Sequence, residues 1–501
     1  MKEAIAVSEE NSVPDEIISE QKAAVSVKAE AVKSEKMARI SAKHKEMTQS
    51  ALAPLILRMA GPAILANVVS TVYSLTDTFY VGHLGTAASG AVGIVMPIML
   101  VFQALGLLFG QGSGNTVAVE LGKKNVERAG RLVSVGFFTA LGISTVIGVL
   151  ALALVSPLMR FFGATPTILP LAIEYAIPLL IVSPLYCTTF VMNPQLRFQG
   201  LAKYAMIAIV SGALLNMVLE PLFIFVFHMG LLGAGIATAI AQTTSWALQL
   251  WMNRHHGIVR IHLSNYKPDM PLIREMVGGG IPSLIRNGML SIAVIAVNVA
   301  ANPFGDAAIA AMAIDGRIMT FFNQVQIGLG QGFQPVCGFN YGAHFFQRVR
   351  KGYWFVVRCS LVWLALASIL VSIFAEPAMA LFRNDPEVIR IGAQTLRFQC
   401  LTFTLSGFVV PSNMMQQTIG HTFISSLVGL GRQGVFLVPA LLILPNFLGL
   451  TGVMISQPVA DIVTFIMTVP LQAYVMRGLS DSSTIRMKRF HWNARRARAK
   501  K

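Results

Sequence analysis

Twelve stretches of predominantly apolar residues, each of about 20 residues or more, follow one another between residues 52 and 476 with short polar breaks between them. A run of that length and polarity has one economical home, a helix that satisfies its own backbone hydrogen bonds while its side chains face hydrocarbon. The runs fall at 52–78, 86–112, 132–156, 168–196, 205–228, 232–252, 281–303, 307–336, 353–375, 388–416, 422–446 and 451–476. They predict an all-α integral membrane protein with twelve transmembrane helices. Composition agrees: 54% of the 501 residues are hydrophobic and only 12% are charged, roughly half the charge of an ordinary soluble domain.

The charges gather at the two ends. Residues 1–50 hold 9 acidic and 8 basic residues, and residues 477–501 hold 9 basic and 1 acidic. The first fifty mix acid and base and lack the apolar stretch of a signal peptide, which reads as a solvated, partly helical or disordered cytosolic tail. The closing KRFHWNARRARAKK abuts a span, where basic residues set topology and meet lipid headgroups, so the lipid bilayer and not nucleic acid is the expected partner. An even number of spans puts both tails on one side. The loops on that side and the C-terminal tail carry 22 Lys and Arg, whereas the opposite loops carry only Arg160, Arg383 and Arg390. That bias places both termini in the cytoplasm. Cys187, Cys337, Cys359 and Cys400 stand singly in apolar runs, without disulfide or metal-ligand spacing.

Shifted against itself by 220 residues, the chain aligns 85–130 with 305–350 without a gap; the GQG at 110–112 falls on the GQG at 330–332 and Arg128 on Arg348. The same offset carries Pro62 onto Pro282, Asn193 onto Asn413 and Gly200 onto Gly420. Six spans per repeat make the halves parallel about an axis along the membrane normal, so two pseudo-symmetric six-helix lobes face each other across a cleft suited to small molecules. The expected organisation is a polar tail at 1–50, an N-lobe at 51–253, a cytoplasmic linker at 254–280, a C-lobe at 281–476 and a basic tail at 477–501.

Carboxylates inside such spans are costly, about 2.5–3.5 kcal/mol at the bilayer centre on insertion scales, and mark ion or proton paths unless they merely cap a span. Asp77 stands toward the end of the first run; Asn216 and Glu220 stand four residues apart, on one face of the fifth. Pro221 follows and frees the carbonyl one turn back. A carboxylate, an amide oxygen and a loose carbonyl suit Na⁺, with Asp77, Asn216 and Glu220 as candidate ligands, while a buried carboxyl could instead carry a proton or belong to a hydrogen-bonded polar kink. The offset aligns Asp77 with Val297, Asn216 with Phe436 and Glu220 with Ala440, so the acids belong to one half, as a task done once per molecule requires. Candidate cleft-lining residues are Tyr73, Gln103, Arg286, Asn298, Asp315, Asn323, Gln324, Gln326 and Asp461. Asp315 and Arg317, two residues apart, do not share a face, and Arg286 is the expected partner of Asp461. No enzyme signature or cofactor motif is present; the glycines of GLGQGFQPVCG are expected to let helices approach closely.

Taken together, GPAILANVVSTVYSLTDTFYVGHLG, GQGSGNTVAVELGKKNVERA, LRFQG at 196–200, the LNxxLE pattern at 215–220 and AIDGRIMTFFNQVQIGLGQGFQPVCGFNYGA resemble the MATE (multidrug and toxic compound extrusion) transporters, and the bacterial branches in particular. The resemblance spans residues 50–476. It implies a bacterial inner-membrane antiporter, active as a monomer, whose lobes rock to export organic cations and other amphiphiles while Na⁺ or H⁺ enters. It further implies an N-lobe cation site, which maps here onto Asp77, Asn193, Asn216, Glu220 and Thr238, with Glu220 replacing the Asp of many members. A flippase for lipid-linked oligosaccharide, or a dedicated metabolite exporter, is the alternative; a flippase would need a strongly cationic cleft.

Overall fold

The computed structural model describes residues 37–499, with side chains described as far as Leu479. The helices in the first half are α1 (37–49), α2 (Leu52–Gly82), α3 (Thr86–Gly122), α4 (Val126–Ala153), α5 (Val155–Phe161), α6 (Leu169–Phe198), α7 (Ala202–Pro221) and α8 (Gly230–His256). Those in the second are α9 (Met270–Ala301), α10 (Asp306–Gly342), α11 (Phe346–Ile373), α12 (Ala375–Ala380), α13 (Pro386–Phe403), α14 (Ser406–Thr418), α15 (Thr422–Leu430), α16 (Leu437–Leu448) and α17 (Leu450–Ala499). All twelve apolar runs are helical. Among the described residues nine helical spans are long and apolar enough to cross a membrane, which leaves the count of twelve unconfirmed. The other three runs lie in α8, α10 and the broken pair α13–α14; α10 carries Asp315, Arg317, Gln324, Gln326 and Gln334 within its length.

The 220-residue repeat of the sequence reappears in the backbone. Helix α10 begins and ends 220 residues after α3, and α11 does so after α4. Positive φ recurs at equivalent turns: 104° at Gly85 and 90° at Gly305, 77° at Gly200 and 90° at Gly420, 64° at Lys124 and 61° at His344. A left-handed residue at the same place in each copy re-aims the next helix in the same direction, so the turns propagate the symmetry.

The lobes meet along a seam at one end of the bundle, which we call the base. On α3 a Cβ at Gly112 would fall on the Met276 carbonyl, and on α9 one at Gly280 would fall on the Leu108 carbonyl. The symmetry-related pair is α10 on α2, where Gly332 lies against the Ala60 backbone and Gly328 against Ile64. Above it Asn67 Nδ2 donates to the Gln324 carbonyl at 3.3 Å, and Gln324 Nε2 to Thr71 Oγ1 at 3.3 Å. Beyond that level the facing residues are exposed: Ser74, Leu75 and Thr78 on α2, and Ala313, Arg317 and Thr320 on α10. The seam therefore opens into a cleft at the end opposite the base.

The polar N-terminal segment departs from the expected solvated tail in its last part, since α1 is packed beneath the seam with Met47 and Thr48 buried. It touches both lobes. The His44 ring bonds the Gly122 carbonyl at 3.0 Å on one side; Asn340 Nδ2 donates to the Met47 carbonyl at 2.9 Å and Arg348 Nη2 to the Ser50 carbonyl at 2.6 Å on the other. Val475 and Leu479 of α17 line a small cavity with Tyr341 and Phe346, so α17 leaves the bundle at the base too. The tail expectations for residues 1–36, and for the basic side chains beyond Leu479, lie outside the described residues.

Linker residue Asp269 fastens this end from outside: its carboxylate caps α9 by accepting from Leu272 N at 2.8 Å and pairs with Arg131 Nη2 at 2.7 Å. The backbone N–H and the guanidinium hold it below the usual carboxylate range. Gly332→Ala is expected to lower the thermal unfolding midpoint of the purified protein, overpacking costing about 1–3 kcal/mol. Gly316→Ala, where a Cβ meets nothing within 4 Å, should leave that midpoint unchanged or raise it.

Candidate functional site

Helix α2 divides its residues between two jobs. Ala60, Ile64, Asn67 and Thr71 face the seam, while Tyr73 and Asp77, four apart and so on one face, turn into the first lobe. There the Asp77 and Glu220 carboxyl groups come within hydrogen-bonding range of each other. Glu220 is fully buried and Asn216, one turn earlier on α7, is 1% exposed. Asn216 lies between two partners: one end of its amide is 3.0 Å from Glu220 Oε2, the other 3.0 Å from Thr238 Oγ1 and 3.2 Å from Thr238 N. An ionised carboxylate oxygen can only accept, so the amide satisfies both sides when its nitrogen donates to Glu220 and its oxygen accepts from Thr238. Tyr73 lies beside Thr238, Asp77 and Glu220, and Tyr175 on α6 is a further buried tyrosine near enough to feel both carboxyls.

Two buried carboxyl oxygens in this group, Asp77 Oδ1 and Glu220 Oε1, have no hydrogen-bond partner among the described residues. Buried acceptors are nearly always satisfied, and here two orphans stand on adjoining carboxyls; Asp315 Oδ1 in the second lobe is a third buried carboxyl oxygen without a partner, but with no second carboxyl beside it. Directly after Glu220 the α-helix ends at Pro221 and continues as a π-helical turn, Leu222–Val226. Such turns loosen a helix locally and cluster at functional sites.

Asp77, Asn216, Glu220 and Thr238 are thus brought together with Tyr73, but Asn193 is not. Its Nδ2 donates to the Ala205 carbonyl at 3.2 Å, 15 residues before Glu220 on α7, or about 22 Å along a helix. The symmetry-related Asn413 makes the same bond to the Ser425 carbonyl. Because both copies keep it, this is a scaffold clasp between consecutive helices, and the resemblance that placed Asn193 in the site is corrected.

The cleft candidates separate in the same way. Gln324 and Asn298 stand on faces turned to the opposite lobe, Gln324 at the cleft floor and Asn298 exposed above it. Gln103 and Asn323 are half-buried, Asn323 with an unpartnered Oδ1. Gln326 instead closes the break between α13 and α14, donating to the Ser406 carbonyl and accepting from Ser406 Oγ at 3.2 Å. Asp315 points into the second lobe, where Gln399 Nε2 donates to its Oδ2 at 2.6 Å. The expected pair of Arg286 with Asp461 does not form: Arg286 Nη1 donates to Asn413 Oδ1 at 3.2 Å, and Asp461 Oδ1 is met by Arg432 Nε at 2.8 Å and Gln457 Nε2 at 3.0 Å. Arg432 went unassigned in the sequence reading, although a buried acid calls for every Arg in the apolar runs to be considered. Tyr175 was likewise missed; only a tyrosine in an apolar run signalled it.

The family model MatE matches residues 62–222 and again 282–441, the second match starting at the residue that the 220-residue offset places on Pro62. The chain belongs to the MatE family. Among curated relatives it is similar to the multidrug export protein MepA of Staphylococcus haemolyticus, 23% identical over 417 residues, which cover 83% of this chain and 92% of that protein. Among solved structures it resembles MATE in complex with MaL6, at a TM-score of 0.83 and 25% identity over 87% of this chain and 99% of that one. It also resembles a multidrug resistance MATE family transporter in an outward-facing conformation, at a TM-score of 0.82 and 25% identity over 87% of this chain and 98% of that one. MatE proteins are membrane transporters, and membership agrees with the duplicated scaffold and the open cleft.

The division between scaffold and site is measurable. Asn193→Ala, which removes the clasp to the Ala205 carbonyl, is expected to cost about 0.5–1.5 kcal/mol of stability, read as a lower unfolding midpoint, while substrate export by the surviving protein still responds to an ion gradient. Loss of that response with the midpoint unchanged would return Asn193 to the site.

Proposed function

We propose that this MatE family member is a proton-coupled antiporter of the bacterial inner membrane that exports amphiphilic small molecules, with Asp77 and Glu220 as the coupling carboxyls. The observation that carries the proposal is the adjoining pair, each with one buried oxygen left unpartnered. Two carboxylates at about 4 Å repel by roughly 4 kcal/mol at an effective dielectric of 20. The packing around Asp77 and Glu220 therefore favours a bound proton, and its loss favours another arrangement of α2 against α7. The π-helical turn after Glu220 is the place where α7 can yield without unravelling the lobe.

A proton is favoured over Na⁺ by the orientation of Asn216. Na⁺ calls for several hard oxygens, and the amide that the sequence offered as one turns its nitrogen to Glu220 and its oxygen to Thr238. What remains is two carboxyls already within hydrogen-bonding range of each other. With the base taken as cytoplasmic, on the strength of the Lys and Arg bias of the loops, the cleft opens outward. Coupling then requires that proton and substrate each prefer one of two conformations, and rocking of the lobes about the seam is the motion proposed to exchange them.

Substrate uptake into inverted membrane vesicles, the direction in which an exporter moves its cargo there, tests this. An imposed pH gradient should drive it and an imposed Na⁺ gradient alone should not. Asp77→Asn and Glu220→Gln, both close in shape, should bring gradient-driven uptake down to that of vesicles lacking the protein while leaving membrane insertion intact. Wild-type uptake by either variant would sink the assignment; uptake driven by Na⁺ alone would overturn the choice of proton.

A further inference from the structure

The charged side chains of the spans are placed with a bias that the coupling site does not explain. The acids deep in the spans have partners within a lobe: Asp77 faces Glu220 inside the first, Asp315 faces Gln399 inside the second, and Asp461 is held by Arg432. Arg286 is turned inward as well, onto Asn413. Glu174 and Arg390 are exposed within a few residues of their helix ends, and Arg358 twelve residues into α11; Arg317 is exposed eleven residues into α10.

Its direction follows from the helix it sits on. On α10, Arg317, Gln324, Gly328 and Gly332 recur at intervals of seven, four and four residues, which keeps them on one face. Gly328 and Gly332 pack on α2, and Gln324 reaches Thr71 of α2. Arg317, two turns above Gln324, therefore faces the opposite lobe about 10 Å above the cleft floor. It is exposed, and among the described residues it has neither an ion-pair nor a hydrogen-bond partner. Helix α2 runs antiparallel to α10, so the residues across from Arg317 are Ser74 and Thr78, both exposed. On α9 the face that packs Gly280 on α3 continues through Ser291 to Asn298, again exposed and uncharged. The nearest acid on the same face of α10 is Asp306, eleven residues away at the mouth, about 16 Å along the helix.

We propose that Arg317 is the anion-recognising residue of the cleft and that the preferred cargo is a small amphiphile bearing a carboxylate, held by the guanidinium with Ser74, Thr78 and Asn298 as neutral hydrogen-bonding neighbours. This rests on the transporter reading above and names its substrate class. A guanidinium presents paired donors that match a carboxylate, and hydroxyl and amide groups orient a polar cargo without adding charge. A permanent cation would meet one positive charge and no exposed acid at this level. A lipid pyrophosphate, with more negative charge, calls for more than one guanidinium, so the commitment is to a soluble carboxylate.

Two measurements separate this inference from the function it builds on. In the first, purified protein is titrated with norfloxacin, which carries a carboxylate, and with its methyl ester, which does not. The acid should bind at least about tenfold more tightly, as expected for a charge-assisted hydrogen bond. Arg317→Ala should bring that ratio close to one, and Arg317→Lys, which keeps the charge but not the fork, should retain part of it. Equal or tighter binding of the ester by wild type, a ratio that survives Arg317→Ala, or no binding of either compound would overturn the proposal. In the second, the two compounds are assayed for pH-driven uptake into inverted vesicles. Preferential binding of the acid without gradient-driven uptake of it would remove the antiporter reading and leave the cleft assignment standing.

Discussion

Close approach of backbones at the base of the seam, where Gly112 and Gly280 join α3 to α9 and Gly332 joins α10 to α2, is the contact on which the rest of the arrangement depends. Without a hydrophobic driving force between helices in lipid, association relies on van der Waals contact and hydrogen bonds, and small residues maximise both. Because these contacts occupy only the lower half of each helix, the upper halves diverge and leave a cleft. Helix α1 reinforces the same end, bonding Gly122 of one lobe and Asn340 and Arg348 of the other through His44, Met47 and Ser50. The open end follows from how the closed end is packed.

Duplication provides the scaffold, and departures from duplication provide the chemistry. Equivalent bonds, such as Asn193 to Ala205 and Asn413 to Ser425, hold consecutive helices at matching turns in both lobes. The carboxyl pair has no such echo, since Val297 and Ala440 occupy the positions of Asp77 and Glu220. The first lobe thus gathers a titratable group where the second packs apolar side chains. An adjoining pair of carboxyls is confined to the first lobe among the described residues; the buried acid Asp315 of the second lobe stands without a carboxyl neighbour, beside Gln399.

The two halves also dispose of charge differently. In the second lobe Asp461 is neutralised by Arg432, while Asp315 is hydrogen-bonded by Gln399 through one carboxyl oxygen and keeps the other unpartnered among the described residues. Arg317, left facing the cleft, gives that surface a positive character. In the proposed scheme coupling and recognition fall to residues on different faces, the carboxyl pair inside one lobe and Arg317 on the wall between the two. Separation of this kind allows a cargo to change without disturbing the coupling group.

Twelve apolar runs, the 220-residue offset and the glycine motifs were enough to read an all-α membrane protein of two related lobes from the sequence, because hydropathy and helix-packing residues are local properties. The spacing of Asn216 and Glu220 was legible for the same reason, and so was the separation of Asp315 from Arg317: both are rules of one helix. What the sequence could not determine was partnership between helices. The pairing of Asp461 with Arg432 in place of Arg286, the scaffold role of Asn193, the turn of the Asn216 amide toward Thr238 and the approach of Tyr175 to the carboxyl pair all depend on how helices are rotated about their axes when they pack. That rotation is set by contacts summed over whole faces, so only the tertiary structure decided which side chains meet and which, like Arg317, are left exposed.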